Sequence, residues 1–254
     1  MKEIYLGSVS MERNRWAPGR TPTFNVSDFI DKAKADGFSG IELWEYHYTL
    51  ASDEEKAKLA AADIPFFFNT YLSFEEYDEK AYKEIADAIT AVKAKAVKFN
   101  LGPSKNCIAD IPQQLENLEK FTAMIPEYTK MLCECHANTI MEVPETVAEI
   151  FSKLDKERYG AIIHLCTESD FADKCYAAYG DRICHMHCQY IPENGDGFAL
   201  MDDGTEYADK FMNHHLGKGY NGTFTIEFVK FEDTAEAHYA NVLEDLKYLK
   251  KICK

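Results

Sequence analysis

Positive charge is scarce in this chain. Its 28 lysines and arginines face 43 aspartates and glutamates, for a formal net charge of −15. No basic surplus exists to release counterions from nucleic acid or to hold an anionic membrane surface, which excludes both partner classes but not a local basic pocket. Long apolar runs are also missing, so no segment reaches membrane-spanning length. The start, Met1-Lys2-Glu3-Ile4-Tyr5-Leu6, reads at once as strand rather than signal peptide. The eight cysteines, at 107, 133, 135, 166, 175, 184, 188 and 253, form no C-x-x-C pair and no regular framework. Reduced thiols and a cytoplasmic location are expected. A dinucleotide fingerprint is absent too: "GSVSMERNRWAPGR" after the first strand lacks the glycine spacing, and the "GKG" of Gly217–Gly219 precedes a strand instead of following one.

What is present suits a packed α/β protein, with 46% apolar and 13% aromatic residues. Short β-rich runs alternate with helix-period stretches along the whole chain. The strand runs are Ile4–Val9, Gly40–Trp44, Pro65–Thr70, Ala96–Leu101, Met131–Cys135, Ala161–Cys166, Ile183–Cys188 and Thr223–Phe228. Helical periodicity covers Val26–Asp36 (with Asn25 as a cap), Asp53–Ala62, Glu76–Val92, Pro112–Lys130, Pro144–Leu154 and Thr234–Ile252. Eight βα units of roughly thirty residues predict one (β/α)8 TIM barrel, a fold of about 250 residues, filling 1–254 as a single domain. No linker composition marks a second one.

In such a barrel, chemistry sits at the carboxyl ends of the strands. Those ends carry Glu134 and His136, His164, His185 and His187, and Glu227, each in an otherwise apolar run. Neutral imidazoles and carboxylates are what an open divalent-metal site uses. Without an ion, inward glutamates would need other partners, because an unpaired buried charge is costly. Cys133-Glu134-Cys135-His136 could be read instead as a thiolate zinc clip. Strand alternation opposes this: if Glu134 points inward, Cys133 and Cys135 point to the helices. By the same parity an inward His187 sends Cys184, Met186 and Cys188 outward and puts His185 one layer deeper.

The pieces "GFSGIELWEYH" (37–47), "CECHANT" (133–139), "ICHMHC" (183–188) and "GTFTIEFV" (222–229), in this order and spacing, resemble the xylose isomerase-like TIM-barrel superfamily of sugar isomerases and epimerases, inosose dehydratases and endonuclease IV-type hydrolases. The resemblance implies one divalent metal, manganese first with zinc, iron or cobalt as alternatives, held by Glu134, His164, His187 and Glu227. His164 stands where the family usually has aspartate, Thr167 where many members have histidine, and Tyr190 where an acid often follows. The Glu2His2 shell thus carries one negative charge fewer, which leaves the ion more electrophilic. It further implies that Glu134 and Glu227 move the proton in isomerising or epimerising a non-phosphorylated sugar or polyol through an enediolate. Two alternatives stay open. One is a lyase on an oxidised sugar, like an inosose dehydratase or a C-glycoside-cleaving subunit; the other is a non-catalytic barrel subunit. The nuclease branch is disfavoured by the acidic charge and by the missing ligands of a trinuclear cluster.

For a carbohydrate substrate the candidate contacts are His136, Trp16, Arg15, His47, Asn100 and His185, with Trp44, Glu45, Asn69 and Lys98 as weaker ones. Loop seven, "QYIPENGDGFALMDDGTE", holds Glu193, Asp196, Asp202, Asp203 and Glu206 and no lysine or arginine, which argues against a phosphorylated substrate there. A homo-oligomer or a hetero-subunit assembly is compatible with all of this.

Overall fold

Each apolar run long enough for one pass across a barrel wall becomes a strand. The computed structural model describes residues 2–102, 108–193 and 197–253. Its strands are β1 Ile4–Gly7, β2 Gly40–Trp44, β3 Phe66–Asn69, β4 Ala96–Phe99, β5 Lys130–Glu134, β6 Tyr159–His164, β7 Ile183–Cys188 and β8 Thr223–Ile226. All neighbours pair in parallel, and β8 returns to β1 to close the barrel in sequential order. The helices between them, α1 Ile30–Asp36, α2 Tyr46–Thr49, α3 Asp53–Ala61, α4 Glu79–Ala91, α5 Ile111–Thr122, α6 Pro144–Ser152, α7 Ser169–Tyr179, α8 Thr205–Gly217 and α9 Ala235–Ile252, form the outer layer. Among the described residues, no helix is long and apolar enough to cross a membrane.

Local signals explain most helix boundaries. Ser52 caps α3 by accepting from the Glu55 amide at 3.2 Å, and Asp53, Glu54 and Glu55 place negative charge on the first turn. Asp78 and Thr234 cap α4 and α9 in the same way. On α4 the buried Tyr82, Ile85, Ala86 and Ile89 follow helical spacing and face the sheet. Several expected boundaries move, two of them for clear physical reasons. Asn25 makes no capping bond among the described residues, because residues 26–29 form a 3-10 turn and the α-helix starts only at Ile30. The helix expected over 112–130 ends at Thr122. Pro126 cannot continue it, and Thr129 instead donates to the Ala94 carbonyl as the chain enters β5.

The barrel interior is layered. Tyr5, Phe67, Ala96, Leu132 and Ile162 plug the bottom, with the Tyr5 and Phe67 rings stacked at 4.0 Å. Gly40 is required there: a Cβ on it would lie 2.3 Å from the Tyr5 ring. Above this plug the inward residues are polar. Parity places Cys133, Met186 and Cys188 in the outer core, and Cys135 beside Tyr179 of α7. Cys184 departs from the sequence expectation. The β6–β7 register slips between Ala161 and Ile162, so Cys184 turns inward onto the bottom plug, against the open face of Gly160. The described cysteines are all unpaired thiols; Cys107 and Asp196 lie outside the described residues.

Candidate metal centre

Four consecutive strands deliver one side chain each to the same depth. Glu134 ends β5, His164 ends β6, His187 lies opposite His164 in the β6–β7 register, and Glu227 follows β8 directly. One potential ligand atom from each lies within 4.8 Å of all the others. Glu134 Oε1 is 3.1 Å from both His164 Nε2 and His187 Nδ1. Glu227 Oε1 is 3.3 Å from His187 Nδ1, and its Oε2 is 3.8 Å from His164 Nε2. Glu227 Oε2 is buried without a hydrogen-bond partner among the described residues.

The two carboxylates are held differently. Glu134 Oε2 accepts from Lys98 Nζ at 2.8 Å and from Asn100 Nδ2 at 2.9 Å, and Asn100 Oδ1 in turn accepts from Lys98 at 2.7 Å. Burial alone would raise the Glu134 pKa, but Lys98 and the two imidazoles hold it well below the usual carboxylate range. His187 is the converse case: burial would depress it, and Glu227, Glu42 and Glu134 drive it well above the usual imidazole value. Lys98 is itself held charged by Glu134 despite burial, with its ammonium 4.6 Å from the Tyr71 ring centre.

These residues fit a divalent cation. Two oxygens and two ring nitrogens converge, a buried carboxylate oxygen lacks a donor, and the donor chemistry is that of borderline divalent ions.

A second polar layer lies directly beneath. Glu42 of β2 is 2% exposed. Its Oε1 accepts from Asn69 Nδ2 at 2.8 Å and its Oε2 from Thr225 Oγ1 at 2.8 Å, while His187 Nε2 and His185 Nε2 each lie 3.3 Å from Oε2. Burial would raise Glu42, yet His187 and His185 hold it well below the ordinary value.

The other candidates separate by location. His136 is exposed at the rim, its ring 5.5 Å from that of His164, and Trp16 is 63% exposed against Phe228 at 5.5 Å. Asn100 is tied to Glu134 and Lys98. Three expected substrate contacts are placed elsewhere. His185 is wholly buried in the lower layer, between Thr223 at 2.7 Å and Thr225 at 2.9 Å, with Phe67 packed below. His47 is enclosed by Ser8 at 2.9 Å and Glu12 at 3.1 Å. Arg15 is buried under the first loop, donating to the Glu12 carbonyl at 3.0 Å with Phe228 and Phe231 over its guanidinium. Glu12 explains this enclosure: its carboxylate also accepts from the Asn14 and Thr23 amides and the Thr23 hydroxyl, folding the loop onto His47.

Sequence reasoning passed over Glu42 and Tyr71. The parity applied to β5 and β7 would have found Glu42, since Ile41 and Leu43 face the outer core. Tyr71 lies in a loop and gives no periodic signal. Its ring lies 4.6 Å from the Lys98 ammonium that holds Glu134, and its hydroxyl is pushed up by burial and by the nearby Glu227 and Glu134.

Comparison with solved structures carries the fold further. The probable 3-DHS dehydratase AsbF, involved in petrobactin synthesis, from Bacillus anthracis superposes with a TM-score of 0.68 at 15% identity, covering 98% of this chain and 99% of that one. The IOLI protein with a bound zinc atom gives 0.67 at 13% identity over 99% and 98% of the chains. D-psicose 3-epimerase in the presence of D-fructose gives 0.65 at 13% over 99% of both. The fold is that of the xylose isomerase-like TIM barrels. No family model matches the sequence. No curated protein matches it either. At these identities the likeness speaks for the xylose isomerase-like architecture alone.

Proposed function

We propose that this barrel is a divalent-metal-dependent isomerase or epimerase of a non-phosphorylated sugar or polyol. One observation carries the reading: two carboxylates and two imidazoles from successive strand ends converge beside a buried lysine, at the end of the barrel where xylose isomerase-like enzymes work. The likeness to a sugar epimerase and to a dehydratase supports the same chemistry.

Glu134, His164, His187 and Glu227 would hold the ion, with manganese, zinc, iron or cobalt all suited to the donor set. When bound, it supplies a Lewis acid that stabilises the negative charge left as a proton departs from carbon next to a carbonyl. The chain's own residues divide the remaining work. Glu227 Oε2, with no donor to give up, accepts the proton. Glu134 Oε2 already takes Lys98 and Asn100, so it delivers a proton only together with the Lys98 ammonium beside it. His136 and Trp16 flank the entrance and orient the ligand.

Solvent deuterium incorporation into a panel of ketoses by the metal-loaded protein tests this. Exchange at the carbon next to the carbonyl is expected, and no exchange with any ketose sinks the isomerase reading. The unequal tethering of the two glutamates favours a second reading, a lyase that uses one base on an oxidised sugar. Elimination product from a keto-inositol or a 3-keto-glycoside, without exchange into ketoses, would decide for it.

A further inference from the structure

We infer that Glu42 is a positioning residue that fixes which nitrogen of His187 faces the metal centre, keeping the proton on Nε2 and the Nδ1 lone pair free for the ion. This rests on the metal-centre reading above.

Glu42 comes from β2, outside the run β5–β8 that supplies the four convergent side chains. Its orientation leaves little freedom, because Asn69 of β3 donates to Oε1 and the Thr225 hydroxyl of β8 donates to Oε2, both at 2.8 Å. With its hydroxyl hydrogen spent on Glu42, Thr225 Oγ1 can only accept from His185 Nε2 at 2.9 Å, and His185 Nδ1 then accepts from Thr223 Oγ1 at 2.7 Å. Every donor in the layer therefore points toward Glu42. His187 Nε2 lies 3.3 Å from Glu42 Oε2, an oxygen that already accepts from Thr225 on a carboxylate whose other oxygen accepts from Asn69, and it presents N–H there. The opposite ring nitrogen, Nδ1, faces Glu134 Oε1 at 3.1 Å and Glu227 Oε1 at 3.3 Å, so a proton held there is the one an ion between those carboxylates would displace, while the Nε2 proton stays on Glu42. A carboxylate behind an imidazole both selects the tautomer and strengthens the ring as a ligand, and losing it typically weakens metal binding by about ten- to a hundred-fold. Glu42 thus acts on the centre only through His187.

The test uses zinc alone as probe, since it is diamagnetic, on the full chain with 15N-labelled histidine. In the zinc-loaded wild type, His187 is expected to carry its proton on Nε2 and to coordinate through Nδ1. Glu42→Gln, whose amide can donate to Nε2, is expected to weaken zinc affinity by about ten- to a hundred-fold. Thr223→Val perturbs the same layer without contacting Glu42 or His187 and should leave affinity within about three-fold, which separates positioning from general loosening. Coordination of zinc through Nε2 overturns the proposal alone, as does unchanged affinity in a folded Glu42→Gln; if that variant does not fold, the wild-type nitrogen assignment still decides. A wild type that binds no divalent ion overturns the metal centre itself and this inference with it.

Discussion

The two polar layers inside the barrel use the same residue types and differ in how far their hydrogen bonding is satisfied. Below, Glu42 accepts from Asn69, Thr225 and His187, and His185 is matched at both nitrogens by threonines. Above, Glu227 Oε2 has no donor among the described residues, and Glu134 Oε1 faces only imidazoles. Proximity alone would admit Glu42, His185 and His187 as a metal group as readily as the upper four. Donor count separates them: an ion in the lower layer would have to displace bonds already made, whereas in the upper layer it supplies what is missing. Around Glu42, His185 and His187 every ring nitrogen and carboxylate oxygen is met, Asn69 Oδ1 being the orphan of that layer among the described residues, so this group is scaffold; the upper group keeps an unmet carboxylate oxygen, and a ligand gains there.

The largest effect that sharpens this contrast is expected from Glu227→Gln. General acid–base roles contribute about 10^2- to 10^4-fold, so solvent-proton exchange on the productive ketose should fall by about 10^3-fold. The melting temperature should fall less than for loss of Lys98, because Glu227 Oε2 has no hydrogen bond among the described residues to lose and what goes is the Oε1 contact with His187 Nδ1 at 3.3 Å. A large thermal destabilisation with exchange intact would reverse the assignment of the two layers. Lys98→Met comes next. It leaves the buried Glu134 without its cation, and breaking one side of a buried pair costs about 3–5 kcal/mol. Denaturant unfolding of the metal-free protein should show that loss. Saturating divalent ion should restore part of it, since the ion would give Glu134 a positive partner again. Equal losses with and without metal would mean that Glu134 is not a ligand.

Thr223→Val probes the scaffold layer. It strips His185 Nδ1 of its donor, and a buried acceptor left unmatched costs about 1–3 kcal/mol. Urea unfolding should register the cost, while exchange activity stays within about two-fold. A large activity loss at unchanged stability would place His185 in the working layer.

Much of this was legible from residue order. Parallel strands at regular spacing predict the closed barrel, and period-two alternation placed Glu134 and His187 inside and Cys133 outside. The same rule misled at Cys184, because a bulge between β6 and β7 is a non-local register slip that no local pattern announces. Arg15 and Trp16 sit in one loop and read alike in sequence, yet Arg15 turns under the loop onto the Glu12 carbonyl and Trp16 stays outside, while the Glu12 carboxylate closes over His47 of α2. That sorting depends on which carboxylate gathers which donors, and it appears only once the loop has closed. Lys98 was a weak candidate because a lone lysine in a strand has many fates. Only the adjacency of β4 and β5 shows that it faces Glu134.

Donor count also explains a third buried acid, Asp245 of α9, which belongs to neither layer. Glu42, surrounded by donors, is held well below the usual carboxylate range. Asp245 is equally buried but accepts only the Met201 amide at 2.8 Å, and its Oδ2 has no partner among the described residues. Burial, with Asp203 and Asp202 nearby, pushes it up to about 7 from 3.8. The folded state therefore binds this proton more tightly than the unfolded state does. Its contribution to stability is full below the unfolded value and is lost as pH rises toward about 7, at up to about 1.4 kcal/mol per pH unit within that window. Asp245→Asn removes the titration, so its stability relative to wild type should improve by about that amount between pH 5 and 6 and stop improving above the folded value. Urea midpoints of both proteins across that range measure the difference directly. Parallel pH profiles would mean that one amide suffices to keep a buried carboxylate ionised, and the distinction drawn between the two layers would lose its physical basis.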